Sequence, residues 1–316
     1  MAKVILVREL GVPVIETQEL PALLPHQVRI AVKASPINPA DLNVIEGTYG
    51  NKPSLPFVAG NEGVGVITET GSAVRNVSVG QMVIAPLQRG WWCSERVLDA
   101  ASVYSVQVPI QTAAMLAINP PTAYRMLHDF VKLEPGNWIV QNAANSVVGR
   151  CVIQLARRFG WRTINVVRRP ELIPELQSLG ADAVVTDEKP LSKQIAALTN
   201  GAPVKLGLNA VGGESARQLA KSLAPHGTLV TYGAMARQPL QVENGLLIFK
   251  DIRFRGFWIS DWYRQATRDE VSAMLREVET LGAPPVEKTY PLEQIADALL
   301  HARQDKRAGK ILLTMA

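Results

Sequence analysis

The stretch Trp138 to Arg169, WIVQNAANSVVGRCVIQLARRFGWRTINVVRR, decides the fold. It opens on a short apolar run, Trp138 to Asn142, and turns through small residues. It continues with apolar residues at helical spacing over Val148 to Arg158, then gives a second apolar run, Arg162 to Val167. Strand, helix and strand in this order make the unit of a parallel sheet with its crossover helix. The alternation runs on through helix Pro174 to Leu179, stopped by Gly180, strand Ala183 to Val185, strand Leu206 to Ala210, helix Glu214 to Leu223 and strand Gly227 to Tyr232. These later strands are apolar enough for burial on both faces. With a further strand at Ile252 to Gly256, the segment reads as a doubly wound α/β nucleotide-type domain.

On its amino-terminal side the periodicity is two. Lys3 to Val7, Val28, Ile30 and Val32, Gly63 to Thr68 and Gln81 to Ala85 mark a β-rich unit that extends from Met1 to about Val108. Near Gln111 the pattern changes, with helices expected over Ala113 to Ile118 and Thr122 to Phe130, the second opened by Pro120 and Pro121. On the carboxyl side a helix starts near Thr267, which forms a capping box with Glu270. The tail, helix Glu293 to Arg303 and strand Lys310 to Thr314, is too short to fold alone and is expected to return to the amino-terminal unit. The expected division is therefore 1–112, 113–266 and a returning 267–316.

Composition narrows the function class. The 316 residues carry 33 Lys and Arg against 28 Asp and Glu, a net charge of +5 without basic blocks, which points away from nucleic acid. No apolar run reaches the roughly 18 residues of a membrane span, and Met1 to Arg8 lacks the features of a signal peptide. Cys93 and Cys151 are too few for a disulfide framework or a structural zinc site, so a reducing, cytoplasmic setting is expected. The four histidines, His26, His128, His226 and His301, are dispersed, and no metal site is expected.

The chemistry is expected at strand ends. The junction Gln141 to Gly149 offers free backbone amides and a positive helix end to a pyrophosphate, although the full three-glycine fingerprint is missing. Arg168 and Arg169 stand about 20 residues further on, where an NAD enzyme carries an acid. Two guanidinium groups there suit a 2′-phosphate, so the cofactor implied is NADPH. Within the turn-rich segment Asn38 to Gly50, read as a loop, Tyr49 is a candidate proton donor, with a packing or surface role as the alternative.

The chain resembles the zinc-free medium-chain dehydrogenase/reductase superfamily, and within it the 2-enoyl thioester reductases. The resemblance rests on Ile37 to Tyr49, Gly60 to Gly63, Asn119 to Leu127, Gln141 to Gly149, Arg162 to Arg168, Tyr232 to Met235 and Leu247 to Trp258. Zinc-binding members carry Gly-His-Glu where this chain has Gly60, Asn61 and Glu62, and a cysteine ligand where Asn38 and Pro39 stand. The resemblance implies a GroES-like β-rich catalytic domain plus a doubly wound Rossmann domain, with the active site in the cleft between them. It implies Tyr49 as proton donor, and NADPH held by Asn119, Asn145, Ser146, Val147, Val148, Arg168, Tyr232, Gly233, Ala234, Met235, Phe257, Trp258, Ile259 and Lys310. Arg169 and Pro170 replace a spaced arginine of the family pattern, so Arg168 alone is carried over.

The activity expected is NADPH-dependent reduction of a trans-2-enoyl thioester, enoyl-CoA or enoyl-acyl-carrier-protein, within fatty acid metabolism. Asn43 is a candidate donor to the enolate oxygen and Trp258 a candidate wall of the acyl pocket, with a core or interface role as the alternative for Trp258. The competing activity is NADPH-dependent quinone or enone reduction on the same fold. The run Leu246 to Phe257 resembles an edge strand through which relatives pair, so a homodimer is expected.

Overall fold

The computed structural model describes residues 1–188 and 190–315 and divides into two units. Unit 1 is Met1–Ile118 with Tyr263–Ala316, and unit 2 is Asn119–Trp262. These bounds lie a few residues from the expected 112 and 266. Tyr263 falls on the unit 1 side because its buried hydroxyl donates to the Ala117 carbonyl at 2.9 Å.

Unit 1 begins with β1 (Ala2–Glu9), β2 (Val12–Gln18), β3 (Gln27–Pro36), helix α1 (Pro39–Glu46), β4 (Phe57–Val58), β5 (Val64–Thr70), β6 (Met82–Ile84), β7 (Glu95–Asp99), β8 (Tyr104–Ser105) and α2 (Ile110–Ala113). Strand β3 is central, pairing antiparallel with both β5 and β7. Its alternate residues Val28, Ile30 and Val32 are buried, the inward face of a period-2 strand. They share one core with Ile5, Trp91 and Trp92.

Two expectations about unit 1 are corrected. The segment read as a loop, Asn38 to Gly50, contains helix α1, with Pro39 in the first turn, Asp41 as a first-turn acid and Gly47 as a left-handed cap at φ 74°. These are helix-boundary residues whose turn-like identity concealed a one-sided apolar face, Val44 and Ile45. The helix expected over Ala113 to Ile118 is only α2, followed by tight turns in which Met115 N–H bonds Thr112 O and Leu116 N–H bonds Ala113 O. Pro120 and Pro121 lack N–H groups, so they fit only the first turn of the next helix.

Unit 2 contains α3 (Asn119–Asp129), β9 (Trp138–Gln141), α4 (Val147–Phe159), β10 (Arg162–Val167), α5 (Ile173–Leu179), β11 (Ala183–Thr186), α6 (Leu191–Leu198), β12 (Val204–Asn209), α7 (Gly213–Ser222), β13 (Thr228–Thr231), α8 (Asn244–Ile248) and β14 (Arg253–Gly256). The six strands form one sheet in the order β11-β10-β9-β12-β13-β14, and every pairing is parallel. Val140, Ile164, Leu206 and Leu229 are fully buried, as strands covered on both faces require. The run Leu246 to Phe257 is not one strand. Leu246 and Ile248 lie on α8, and only Arg253–Gly256 joins the sheet, at its edge.

Helix α9 (Ile259–Gln265) crosses from unit 2 to unit 1, and α10 (Arg268–Val278), β15 (Val286–Pro291), α11 (Ile295–Ala302) and β16 (Lys310–Thr314) complete unit 1. The Thr267–Glu270 capping box starts α10. Strand β16 pairs antiparallel with β3, Leu313 opposite Ser35, and gives Ile311 and Leu313 to the amino-terminal core.

Candidate active site

The carboxyl ends of the unit 2 strands form a rim. Strand β9 ends at Gln141, and the chain turns through Asn142–Ser146 into α4, with Ala143 at φ 48°. Ser146 caps the helix in extended conformation, its side chain accepting from Gly149 N–H at 3.1 Å. The first N–H groups of a helix lack intrahelical acceptors and carry its positive end, so the turn presents a ready anion site. A Cβ at position 149 would sit 2.5 Å from the Ala144 carbonyl oxygen, so only glycine admits this approach of helix to turn.

Unit 2 also carries the other expected cofactor residues except Lys310, which belongs to unit 1. Arg168 is exposed immediately after β10, while Arg169 faces Glu171 at 3.8 Å. Tyr232, Gly233, Ala234 and Met235 follow β13, anchored where Tyr232 N–H bonds Asn209 O and Met235 N–H bonds Ala210 O, both at 3.0 Å. The Tyr232 hydroxyl is buried beside Ser146 without a hydrogen bond of ordinary geometry, and burial raises its pKa. Phe257, Trp258 and Ile259 follow β14, with Phe257 N–H on Thr231 O at 3.0 Å. Asn119 is buried at the start of α3, a helix that packs on α4. A helix-end turn without a Cβ at 149, an orphaned hydroxyl at 232 and an exposed guanidinium at 168 together fit a phosphorylated dinucleotide.

Sequence reasoning missed the residues that hold this rim from behind. Arg150, one residue beyond the quoted junction, donates from Nε to the Asn145 carbonyl at 3.0 Å and from its terminal nitrogen to Glu175 Oε1 at 2.7 Å. Its place one turn into α4 was the available signal. The Asn142 side chain donates to Asn209 Oδ1 at 2.8 Å and accepts from Ala210 N–H at 2.8 Å, joining two strand ends.

Unit 1 holds Tyr49, Asn43 and Lys310. Helix α1 ends at Gly47, and the next turn is fixed by the Asn43 carbonyl, which accepts from Thr48 N–H at 2.9 Å and Tyr49 N–H at 3.1 Å. The Tyr49 side chain is half-buried. Lys310 is buried at the start of β16, and its ammonium donates to Asn38 Oδ1. The Asn38 amide donates in turn to Glu62 Oε1 at 2.7 Å, and Glu62 Oε2 accepts from Ile118 N–H at 3.0 Å. Asp41, also buried, accepts from Asn38 N–H at 2.7 Å and from the backbone and side chain of Asn61 at 2.9 and 2.7 Å. Burial pushes the Glu62 carboxyl up and the Lys310 ammonium down, each partly offset by the other's charge.

Among the described residues no group of three or more His, Cys, Asp or Glu is placed to hold a metal ion, and no helix is long and apolar enough to cross a membrane. A surface groove of about 380 Å³, lined by Lys288, Tyr290, Asp297 and His301 among others, contains none of the residues expected to act.

Comparison with known proteins agrees with this layout. Residues 24–109 match the alcohol dehydrogenase GroES-like domain, and residues 147–280 match the zinc-binding dehydrogenase family. The chain is 44% identical over 310 residues to the mitochondrial enoyl-acyl-carrier-protein reductase of Rattus norvegicus, covering 94% of this chain and 83% of that one. Among solved structures it matches a complex of Etr1p with NADP and crotonyl-CoA at 28% identity and TM-score 0.88, over 99% of both chains. It also matches the mitochondrial 2-enoyl thioester reductase Etr1p/Etr2p heterodimer of Candida tropicalis at 28% identity and TM-score 0.89, again over 99% of both.

The buried charges of unit 1 have a measurable consequence. Burial outweighs the N–H bonds to Asp41 and raises its pKa to about 6 from 3.8. A folded pKa above the unfolded one means that the group's stabilising contribution is full below about pH 4 and is lost as pH rises to about 6. Asp41→Asn does not titrate. In urea unfolding, the stability difference between variant and wild type should move in the variant's favour by up to about 3 kcal/mol across that window. A difference that stays constant with pH would show that Asp41 takes up its proton equally in the folded and unfolded chain, without the upward shift.

Proposed function

The chain belongs to the medium-chain dehydrogenase/reductase superfamily, among its enoyl thioester reductases, and from that premise we propose that it reduces trans-2-enoyl thioesters, enoyl-CoA or enoyl-acyl-carrier-protein, with NADPH. The observation that carries this reading is the 44% identity to an enoyl-acyl-carrier-protein reductase, spread over 94% of the chain. NADPH, when bound, supplies a hydride to the β-carbon of the substrate. The residues of unit 2 are read as its holders. Asn145 to Val148 offer N–H groups to the pyrophosphate, and Arg168 offers a charge-assisted donor to the 2′-phosphate. Tyr232 to Met235 and Phe257 to Ile259 line the neighbouring strand ends, and Asn119 completes the unit 2 set; Lys310, of unit 1, is the remaining residue read as a cofactor contact.

In unit 1, Tyr49 is read as the group that gives a proton to the α-carbon. A phenol hydroxyl can donate, and the Tyr49 backbone is held by the Asn43 carbonyl rather than left free. Asn43 is read as a donor to the oxygen on which negative charge builds, and Trp258 as a wall of the acyl pocket. A homodimer is supported by the edge position of β14 and by Ile248 and Phe249 on the preceding segment, 70% and 84% exposed. A reducing, cytoplasmic compartment is supported by two buried, unpaired cysteines, Cys93 and Cys151.

Three measurements test these assignments. NADPH oxidation with crotonyl-CoA should be rapid in the wild type and fall by roughly 10² to 10⁴ in Tyr49→Phe with the fold intact. Quinone turnover without thioester turnover would replace the thioester by a quinone as substrate, and an unaffected variant would remove Tyr49 as proton donor. Arg168→Ala should raise KM for NADPH by about 10- to 100-fold while leaving NADH unchanged, since only the former bears the 2′-phosphate. Light scattering at micromolar concentration should give twice the chain mass, and a monomer mass would defeat the edge pairing.

A further inference from the structure

Glu62 is 1% exposed, and the mechanism above gives it no task. Its two carboxylate oxygens are nevertheless committed to parts of the chain far apart in sequence. Oε1 accepts from the Asn38 side chain at 2.7 Å, and Oε2 from the backbone of Ile118 at 3.0 Å. Asn38 immediately precedes helix α1, and its backbone N–H is bonded by Asp41 at 2.7 Å. The far end of α1 supplies the Asn43 carbonyl, which accepts from Thr48 and Tyr49. Ile118 is the last residue of the first segment of unit 1, directly before Asn119. Hydrogen bonds to a buried carboxylate are charge-assisted and costly to break, so the connection is stiff.

We propose that Glu62 is a positioning residue of the reductase: by holding the Asn38 amide and the Ile118 N–H at once, it fixes the start of helix α1 and, through the Asn43 carbonyl, the turn that presents Tyr49. The inference that this positioning serves proton donation rests on the thioester reductase reading. The positioning itself does not.

The geometry carries a pH consequence. The groups facing Glu62 are Asp41 from α1, Lys310 from β16 and Tyr263 from α9, with Arg307 beyond Lys310. Two carboxylates stand with one ammonium in a site where burial disfavours charge, so Glu62 takes up a proton more readily than an exposed glutamate. A protonated carboxyl keeps one full acceptor oxygen and turns the other into a donor. It then serves the Asn38 amide and the Ile118 N–H less well together.

Glu62→Gln tests this, because it keeps the shape but offers one acceptor oxygen in place of two. Hydrogen–deuterium exchange on the full chain is expected to show the Thr48 and Tyr49 amides exchanging about tenfold faster in the variant, with amides of β3 and β5 unchanged. With crotonyl-CoA and NADPH, kcat should fall by about tenfold with the KM for crotonyl-CoA nearly constant, as expected when a proton donor is displaced but the acyl pocket is kept. Thr48 and Tyr49 protection, corrected for intrinsic exchange, should vary with pH above about pH 6 in the wild type, and that variation should be lost in the variant, where Asp41, the other carboxyl at the start of α1, titrates near pH 6.

Unchanged protection at Thr48 and Tyr49 would overturn the proposal. So would a uniform increase that includes β3 and β5, which would make Glu62 a general stabilising residue. If the variant does not fold, the pH series on Asp41→Asn, where Glu62 is the remaining carboxyl of the cluster, decides: selective variation at Thr48 and Tyr49 supports the proposal and a flat profile refutes it. Should the wild type fail to reduce crotonyl-CoA, the thioester reading falls, while the exchange measurements still decide whether Glu62 holds the turn.

Discussion

A side chain at position 149 would collide with the backbone of the turn it follows, and the geometry of the nucleotide rim depends on that absence. The would-be Cβ lies 2.5 Å from the Ala144 oxygen and 2.7 Å from its carbonyl carbon, which are backbone atoms that cannot rotate away. Because glycine stands there, α4 starts close against the strand end, Ser146 reaches Gly149 N–H, and the turn is pinned to the neighbouring strand through Ala144 N–H on Val166 O at 3.3 Å. A dinucleotide site of this kind needs backbone N–H groups delivered to a fixed point, and close packing of helix on strand delivers them.

The rim is then held by neutral groups. Asn209 Oδ1 accepts from Asn142 and from the backbone of Val211 and Gly212, and Asn209 Nδ2 donates to Thr231 at 3.1 Å. The ends of β9, β12 and β13 are thereby tied through two amides that are 1% and 0% exposed. A fully bonded buried amide pair specifies one arrangement without burying charge, which suits a surface proposed to meet an anion. Arg150 adds the supporting cation, with its charge offset by Glu175 at 2.7 Å.

Unit 2 was legible in the sequence because parallel strands covered on both faces write themselves as apolar runs, and the helices between them as 3.6-residue periods. Unit 1 was legible only as a β-rich region. Helix α1 was hidden by its own boundary residues, since Asn38, Pro39 and Gly47 read as turn signals until the apolar pair Val44 and Ile45 is seen on one face. The edge run after Gly245 misled in the opposite sense: its alternation of apolar and charged residues spans a short helix and a short strand. The junction after β9 and the arginines after β10 follow from topology and could be named in advance, whereas Tyr232 to Met235 and Phe257 to Ile259 were named only through the family resemblance. The Glu62 connections join residues 24, 56 and, through Asn38, 272 positions apart. No local pattern encodes such contacts, and they enter only with the fold.

The two units therefore treat buried polarity differently. Around the rim of unit 2 the buried hydroxyl and thiol stay neutral, since burial raises the Tyr232 hydroxyl and pushes the Cys151 thiol up to about 12, and the Arg150 cation is paired with Glu175. Unit 1 instead buries Asp41, Glu62 and Lys310 together, two acids against one base. Burying a net charge is costly, whereas one added proton makes the set neutral, so burial pushes both carboxyls in the same upward direction. A replacement of all three by apolar residues could be as stable, because ion clusters of this kind contribute little net stability. What apolar residues could not supply is a carboxylate that accepts from Asn38 and Ile118 at the same time, and that directional demand is the physical reason for charge at this place in the fold.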